Sequence, residues 1–282
     1  MTGFVIVNKA EGASSAKEVG IIKRLTDTPC GHLGTLDPMA SGVLPVAIGN
    51  AARLFDYFLT KRKKYIADFK FGYDSDTLDT TGKVVFMSHR VPCKHEIEAV
   101  LPQLIGEIEQ TPPKYSAKNV SGKRGYELAR AGIEFELKPK KVNIYSIKLL
   151  NKTDENSFSF EIECGGGTYI RSIARALGAL LNTSAIMSSL VRTKSGIFEL
   201  KNAVKTCNLT KENIQNFVIA TDSVLPFDSF YPTNMQAKKL FNGLTADCGL
   251  SDGTYKIYCT DGSFYGLADS KDNILKVRTK LC

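Results

Sequence analysis

The 282-residue chain contains no tryptophan and only three histidines, and none of its seven cysteines is spaced Cys-x-x-Cys. His32 follows Cys30 and His95 follows Cys93, but neither His-x-Glu nor Pro-Cys-x-x-Cys occurs, which excludes the zinc-deaminase pattern. No ligand spacing for a metal remains, so no metal is expected. The glycine run 165–167 lacks the Gly-Lys-Ser/Thr ending of a phosphate-binding P-loop. No apolar stretch has the length needed to span a bilayer. No secretory leader opens the chain, and an odd number of cysteines argues against a disulfide framework. The expectation is a cytoplasmic protein with reduced thiols and no membrane partner. Internal repeats and low-complexity segments are also absent.

What is present suits a polyanionic partner. Lys and Arg number 37 against 29 acidic residues, a net charge of +8. The charge gathers in three runs, at 61–64, 118–124 and 138–141, with Tyr65, Tyr115 and Tyr126 nearby. One such run is an ordinary solvated face, whereas three interleaved with aromatics point to a phosphate backbone.

The length allows one large domain with a small appendage. Short apolar runs at 3–8 and 43–48 read as buried strands, and Ser14-Ser15 caps a helix to about residue 25. Alternation marks strands at 64–73, 84–87, 142–150 and 158–164. Helices are predicted at 51–59, 95–105, 126–131, 169–181 and 211–218. Residues 225–232, rich in Pro, Asp and aromatics, read as a linker. Beyond it, a helix at 235–241 precedes strands at 255–259, 264–268 and 274–277, with Asp-Gly turns between them. The class is α+β, with a mixed, largely antiparallel sheet. The division is 1–225 for the main domain and 233–282 for a small β-rich one.

The stretch 31–45, Gly-His-Leu-Gly-Thr-Leu-Asp-Pro-Met-Ala-Ser-Gly-Val-Leu-Pro, carries the chemistry. It sets one acid, Asp37, in a loop whose glycines allow close backbone approach, stiffened at once by Pro38. Asp before Pro also commonly starts a turn. Arg171 falls in the first turn of a predicted helix, where a cation opposes the macrodipole, so a nearby anion is expected unless solvent takes it. Tyr65 on its strand has the pattern of a core aromatic, and Lys9 that of a solvated amine.

These segments resemble the motifs of the TruB-type tRNA pseudouridine synthases. Residues 31–45 match closely, and residues 9–15 resemble the family's opening Lys-Pro-x-Gly-x-Thr-Ser, with Ala10 for Pro and Ser14 for Thr. Matches continue in order at Lys64-Tyr65, 76–82, 113–123, 167–171 and 190–193. The tail resembles a PUA-type RNA-binding domain. Val191 stands where many relatives carry the first Arg of Leu-Arg-Arg, which removes one phosphate contact from the family's pattern.

The resemblance implies a pseudouridine synthase fold and isomerisation of uridine in the T-arm loop of tRNA, at position 55. Asp37 would be the nucleophile, on uracil C6 or sugar C1′, and Arg171 its partner. Tyr65 would stack on the flipped base, its hydroxyl assisting removal of the C5 proton. His32 would fill the space the base leaves, and Tyr169 and Leu190 would line the pocket. No cofactor and no obligate protein partner is implied. A rival reading is an RNA-binding protein of the same scaffold without catalysis, for which Asp37 has no evident use.

Overall fold

Apolar residues of the first fifty build two strands that answer each other along their whole length. β1 (Gly3–Lys9) pairs antiparallel with β3 (Ser41–Ile48), with Gly3 opposite Ile48 and Lys9 opposite Gly42. Both are buried on both faces, which is why they read as apolar runs instead of alternating. The computed structural model describes residues 1–282 apart from 117 and 121, and apart from the side chains of 120, 123, 124 and 126. Tyr126 and the 123–124 part of the second basic run therefore lie outside the described residues.

Beside β3 runs β12 (Ala185–Ser195), parallel through Val191 to Ser41 and Arg192 to Gly42. The sheet continues antiparallel through β4 (Lys63–Phe71), β11 (Ser157–Cys164), β10 (Lys140–Asp154) and β7 (Gly106–Gln110). Two short strands extend it, β2 (Cys30–His32) on β3 and β13 (Phe198–Glu199) on β12. Small hairpins join β5 (Tyr73–Ser75) to β6 (Val84–Phe86) and β8 (Asn119–Val120) to β9 (Lys123–Arg124). The sheet is mixed and largely antiparallel, in an α+β chain.

The helices are α1 (Ser15–Thr26), α2 (Phe55–Leu59), α3 (Lys94–Val100), α4 (Gly125–Arg130), α5 (Ile170–Leu180) and α6 (Asn234–Phe241). The Ser14 hydroxyl accepts from the Lys17 N–H at 3.2 Å and starts α1. Ile170, Ile173, Ala174 and Leu177 place α5 in the main core with Phe69, Phe160 and Met187. That packing fixes where the first turn of α5 meets the sheet.

A second, five-stranded sheet is ordered β14 (Asp228–Phe230), β16 (Gly253–Tyr258), β17 (Phe264–Lys271), β18 (Ile274–Lys280) and β15 (Ala246–Asp247). It is tied to the first. Leu267 and Leu281 share a buried cluster with Phe4, Leu33 and Ala47, and Arg53 donates to the Lys280 carbonyl at 2.7 Å.

Several predicted elements differ from those observed. The expected helix at 51–59 is a 3-10 segment (Gly49–Leu54) followed by α2, and the one at 95–105 becomes 3-10 after Val100, where Pro102 removes a donor. Residues 211–218 hold only turns and a 3-10 segment (Ile214–Phe217), with Ile214 its one fully buried residue. The expected linker contains β14, which pairs parallel with β16.

Gly42 lets β3 approach β12 closely. Its φ is +101°, and a Cβ there would run into the Arg192 carbonyl. Gly42→Ala is expected to destabilise the fold by more than about 2 kcal/mol, read as a lowered midpoint in urea unfolding.

Candidate active site

The loop that carries Asp37 is bonded at every carbonyl from Gly34 to Pro38. Arg192 Nη2 donates to Gly34 O at 3.0 Å and Nη1 to Thr35 O at 3.4 Å. The Ser15 hydroxyl donates to Leu36 O and accepts from Leu36 N–H, both at 2.9 Å. Asp37 O accepts from Ala40 N–H at 3.0 Å. Pro38 O takes Lys9 Nζ at 3.1 Å and Gly12 N–H at 2.8 Å. Such complete satisfaction leaves the loop one conformation and aims the Asp37 side chain outward.

Lys9 corrects the sequence reading. It is fully buried, not solvated, and donates also to Ala10 O and Ala13 O, at 2.9 and 2.7 Å. Burial holds its ammonium below the usual lysine range. Lys9→Met would leave three carbonyls short of a donor. A loss of about 2–4 kcal/mol in chemical denaturation is expected.

Arg171, in the first turn of α5, meets Asp37 at 2.8 Å and Asp79 at 3.3 Å. Its side chain is 6 % exposed, and it donates also to Thr77 O at 2.9 Å and Tyr115 O at 3.1 Å. The cation placed against the helix dipole thus has two anions. Asp79 is buried and uses its other oxygen for the hydroxyls of Thr77 and Thr81, both at 2.6 Å, and the Thr81 N–H at 2.9 Å. Leu78 between them sits at φ +61°, a left-handed conformation that a branched side chain rarely adopts. The strain buys an arrangement in which Thr77 O and Asp79 face the same guanidinium.

The Asp37 side chain keeps 35 % of its surface open, on the cavity side. Burial of its carboxyl among protein atoms pushes its pKa above the usual range, the Arg171 charge pulls it back, and Asp79 adds to the rise. Asp37 lines a cavity of about 410 Å³ together with Arg171, Tyr65, Tyr169, Leu190 and Arg192. On the other side of the same loop a second cavity of about 800 Å³ also reaches Asp37, and His32 lines that one.

Tyr65 on β4 lies directly across from Arg192 on β12, so both side chains emerge on one face. Burial pushes the phenol up to about 12, against the pull of Arg192, so it holds its proton at neutral pH. Burial lowers the His32 pKa, with Arg192 adding to the effect, and among the described residues its Nδ1 is a buried atom without a hydrogen-bond partner. Tyr169 caps α5, and Gln110 fixes it by accepting from its N–H at 2.7 Å and donating to its carbonyl at 3.0 Å.

Asp37, Arg171, Tyr65, Tyr169 and Leu190 therefore share one cavity, and His32 stands across the loop. Sequence reading missed Asp79, Arg192, Ser15 and Gln110, and misjudged Lys9. Arg192 is the Arg retained beside Val191, and its Nε also holds Val43 O at 2.7 Å. The Thr-rich segment 76–82 was a usable signal for Asp79. Gln110 left none, because the polar stretch Glu107 to Gln110 carries no apolar pattern that would mark a strand.

Residues 23–170 match the model of the TruB family pseudouridylate synthase N-terminal domain. The tRNA pseudouridine synthase B of Borrelia garinii subsp. bavariensis is 37% identical over 257 residues, covering 90% of each chain. That of Clostridium novyi strain NT is 37% identical over 289 residues, covering 100% of each. Among solved structures, a Cbf5–Nop10–Gar1 complex contains a chain with TM-score 0.73 at 23% identity, covering 99% of this chain and 85% of that one. At that identity the likeness concerns the fold.

Proposed function

Because the chain belongs to the TruB family of pseudouridylate synthases, we propose that it isomerises the uridine at position 55, in the T-arm loop of tRNA, with Asp37 as nucleophile on a flipped-out base. It is an RNA isomerase. The N1–C1′ bond breaks, the uracil turns within the cavity, and C5 bonds to C1′. The C5 proton is lost and N1 gains one, so atoms and electrons balance without a cofactor. The observation that carries the reading is the carboxylate of Asp37, held rigid and paired with a buried guanidinium on the wall of an aromatic cavity.

Asp37 either adds to C6 of the uracil and is eliminated after C5 has bonded to C1′, or displaces the uracil from C1′ of the ribose and is itself displaced as C5 attacks that carbon. Arg171 keeps it ionised despite burial. Extracting the uridine costs a few kcal/mol, which stacking on the Tyr65 ring and the presence of His32 in the vacated space offset. A phenol that holds its proton to about pH 12 favours the stacking role for Tyr65 over capture of the C5 proton. Residues 1–225 supply the chemistry, and the PUA-like 233–282 adds affinity through its lysines. The chain works in the cytoplasm and without an obligate protein partner.

The test is release of tritium from [5-³H]uridine-labelled, unmodified tRNA transcript. One equivalent per tRNA is expected. Binding without release would leave an RNA-binding protein on the same scaffold.

A further inference from the structure

Three lysines line the Asp37 cavity; Lys63 is taken up by the carbonyls of Leu59 and Lys61, at 2.7 and 2.8 Å, whereas Lys118 and Lys140 have no ion-pair partner among the described residues. Lys140 begins β10, and Lys118 lies in the segment that precedes β8; both line the cavity with Asp37 and Tyr169. Lys140 reaches over the glycine turn: Gly167 sits at φ +78°, and the Lys140 Nζ lies 2.6 Å from where a Cβ on it would stand. The same Nζ stands 5.4 Å from the centre of the Tyr169 ring. Lys118 Nζ reaches the Lys138 carbonyl at 3.5 Å, which draws it towards the start of β10.

The neighbouring charges are used otherwise. Lys141 is paired with Glu107 at 2.7 Å, and Lys64 with Glu161 at 2.9 Å. Among the described residues no carboxylate lies in ion-pair reach of Lys118 or Lys140. Burial lowers the Lys140 pKa, and the charge of Lys118 lowers it further. Two half-buried ammoniums that repel each other at the rim of a substrate cavity gain most from one shared anion.

Resting on the function proposed above, we infer that Lys118 and Lys140 together bind a single phosphodiester of the RNA, one adjoining the nucleotide that enters the Asp37 cavity. A phosphate offers each ammonium its own oxygen. The pair then holds the backbone at the cavity rim while the base lies against Tyr65, beyond the reach of either lysine's chemistry.

The experiment measures binding, so it does not depend on turnover. The full chain, the double variant Lys118→Gln/Lys140→Gln and the double variant Lys118→Arg/Lys140→Arg are titrated with a synthetic T-arm stem-loop at several KCl concentrations. The RNA is used unmodified, or with a neutral methylphosphonate on the 5′ or the 3′ side of the target uridine. The Gln variant should bind about tenfold more weakly at low salt and lose about one unit of log–log salt slope. The Arg variant should keep the wild-type slope. One of the two methylphosphonates should cost the wild-type chain the same amount and cost the Gln variant nothing more. A Gln variant with wild-type slope, or one that loses equally with both methylphosphonates, overturns the inference. A wild-type chain that shows these slopes but forms no pseudouridine would instead overturn the function and leave the phosphate contact standing.

Discussion

Asp37→Asn should abolish pseudouridine formation, lowering the single-turnover rate by at least about 10⁴-fold, while tRNA affinity stays within a few-fold. The amide keeps the shape of the side chain, and the loop beneath it is held through backbone carbonyls that the substitution does not touch. What it removes is the negative charge that the proposed nucleophile needs. Stability should not fall. A carboxyl whose folded pKa is raised favours the folded state below its unfolded value, near about 3.9, and that contribution is lost as pH rises through the folded value. Ionised Asp37 therefore costs stability at neutral pH, and Asn escapes the cost. For the wild-type chain the same shift moves the acid limb of the rate profile above the pH where a free carboxylate titrates. Retained turnover in Asp37→Asn, or an acid limb below pH 4, would contradict this account.

Arg171→Lys should slow single turnover by about 10²–10³-fold with tRNA binding nearly unchanged. The guanidinium meets two carboxylates and two carbonyls at once, at 2.8, 3.3, 2.9 and 3.1 Å. An ammonium has three donors on a single atom and cannot span Asp37, Asp79, Thr77 O and Tyr115 O together. It will remain with the more buried Asp79, and Asp37 will be left to burial alone. The acid limb of the rate profile should then move to higher pH than in the wild-type chain. An equal loss of tRNA binding with normal single-turnover chemistry would make Arg171 a phosphate contact instead.

The sheet was legible where strands carry an unbroken apolar or alternating pattern. β1, β3, β4 and β11 carry uninterrupted apolar or alternating patterns, and each was read within a few residues. β12, the strand at the centre of the site, was not read as one. Its Ser188, Ser189, Arg192 and Lys194 break the apolar pattern, and Arg192 is polar because it serves the Asp37 loop. The 3-10 segments after β3 and α3 read as helix in the sequence because local propensity does not distinguish the two. In the site, Asp37 was legible from the glycines around it, and Arg171 from its position against the helix dipole. Lys9 and Asp79 were less so, since a buried charge is identified by all its partners and one of each set is distant in sequence: Lys9 meets Pro38 besides Ala10 and Ala13, and Asp79 meets Arg171 besides Thr77 and Thr81. Tertiary contacts decide what such residues do.

The central claim is most directly tested by incubating the purified chain with an unmodified tRNA transcript and mapping pseudouridine along it by carbodiimide modification and primer extension. The account predicts a single new stop reporting position 55, complete in the wild-type reaction and absent with Asp37→Asn. A transcript bound by the wild-type chain but carrying no pseudouridine at that position would contradict it.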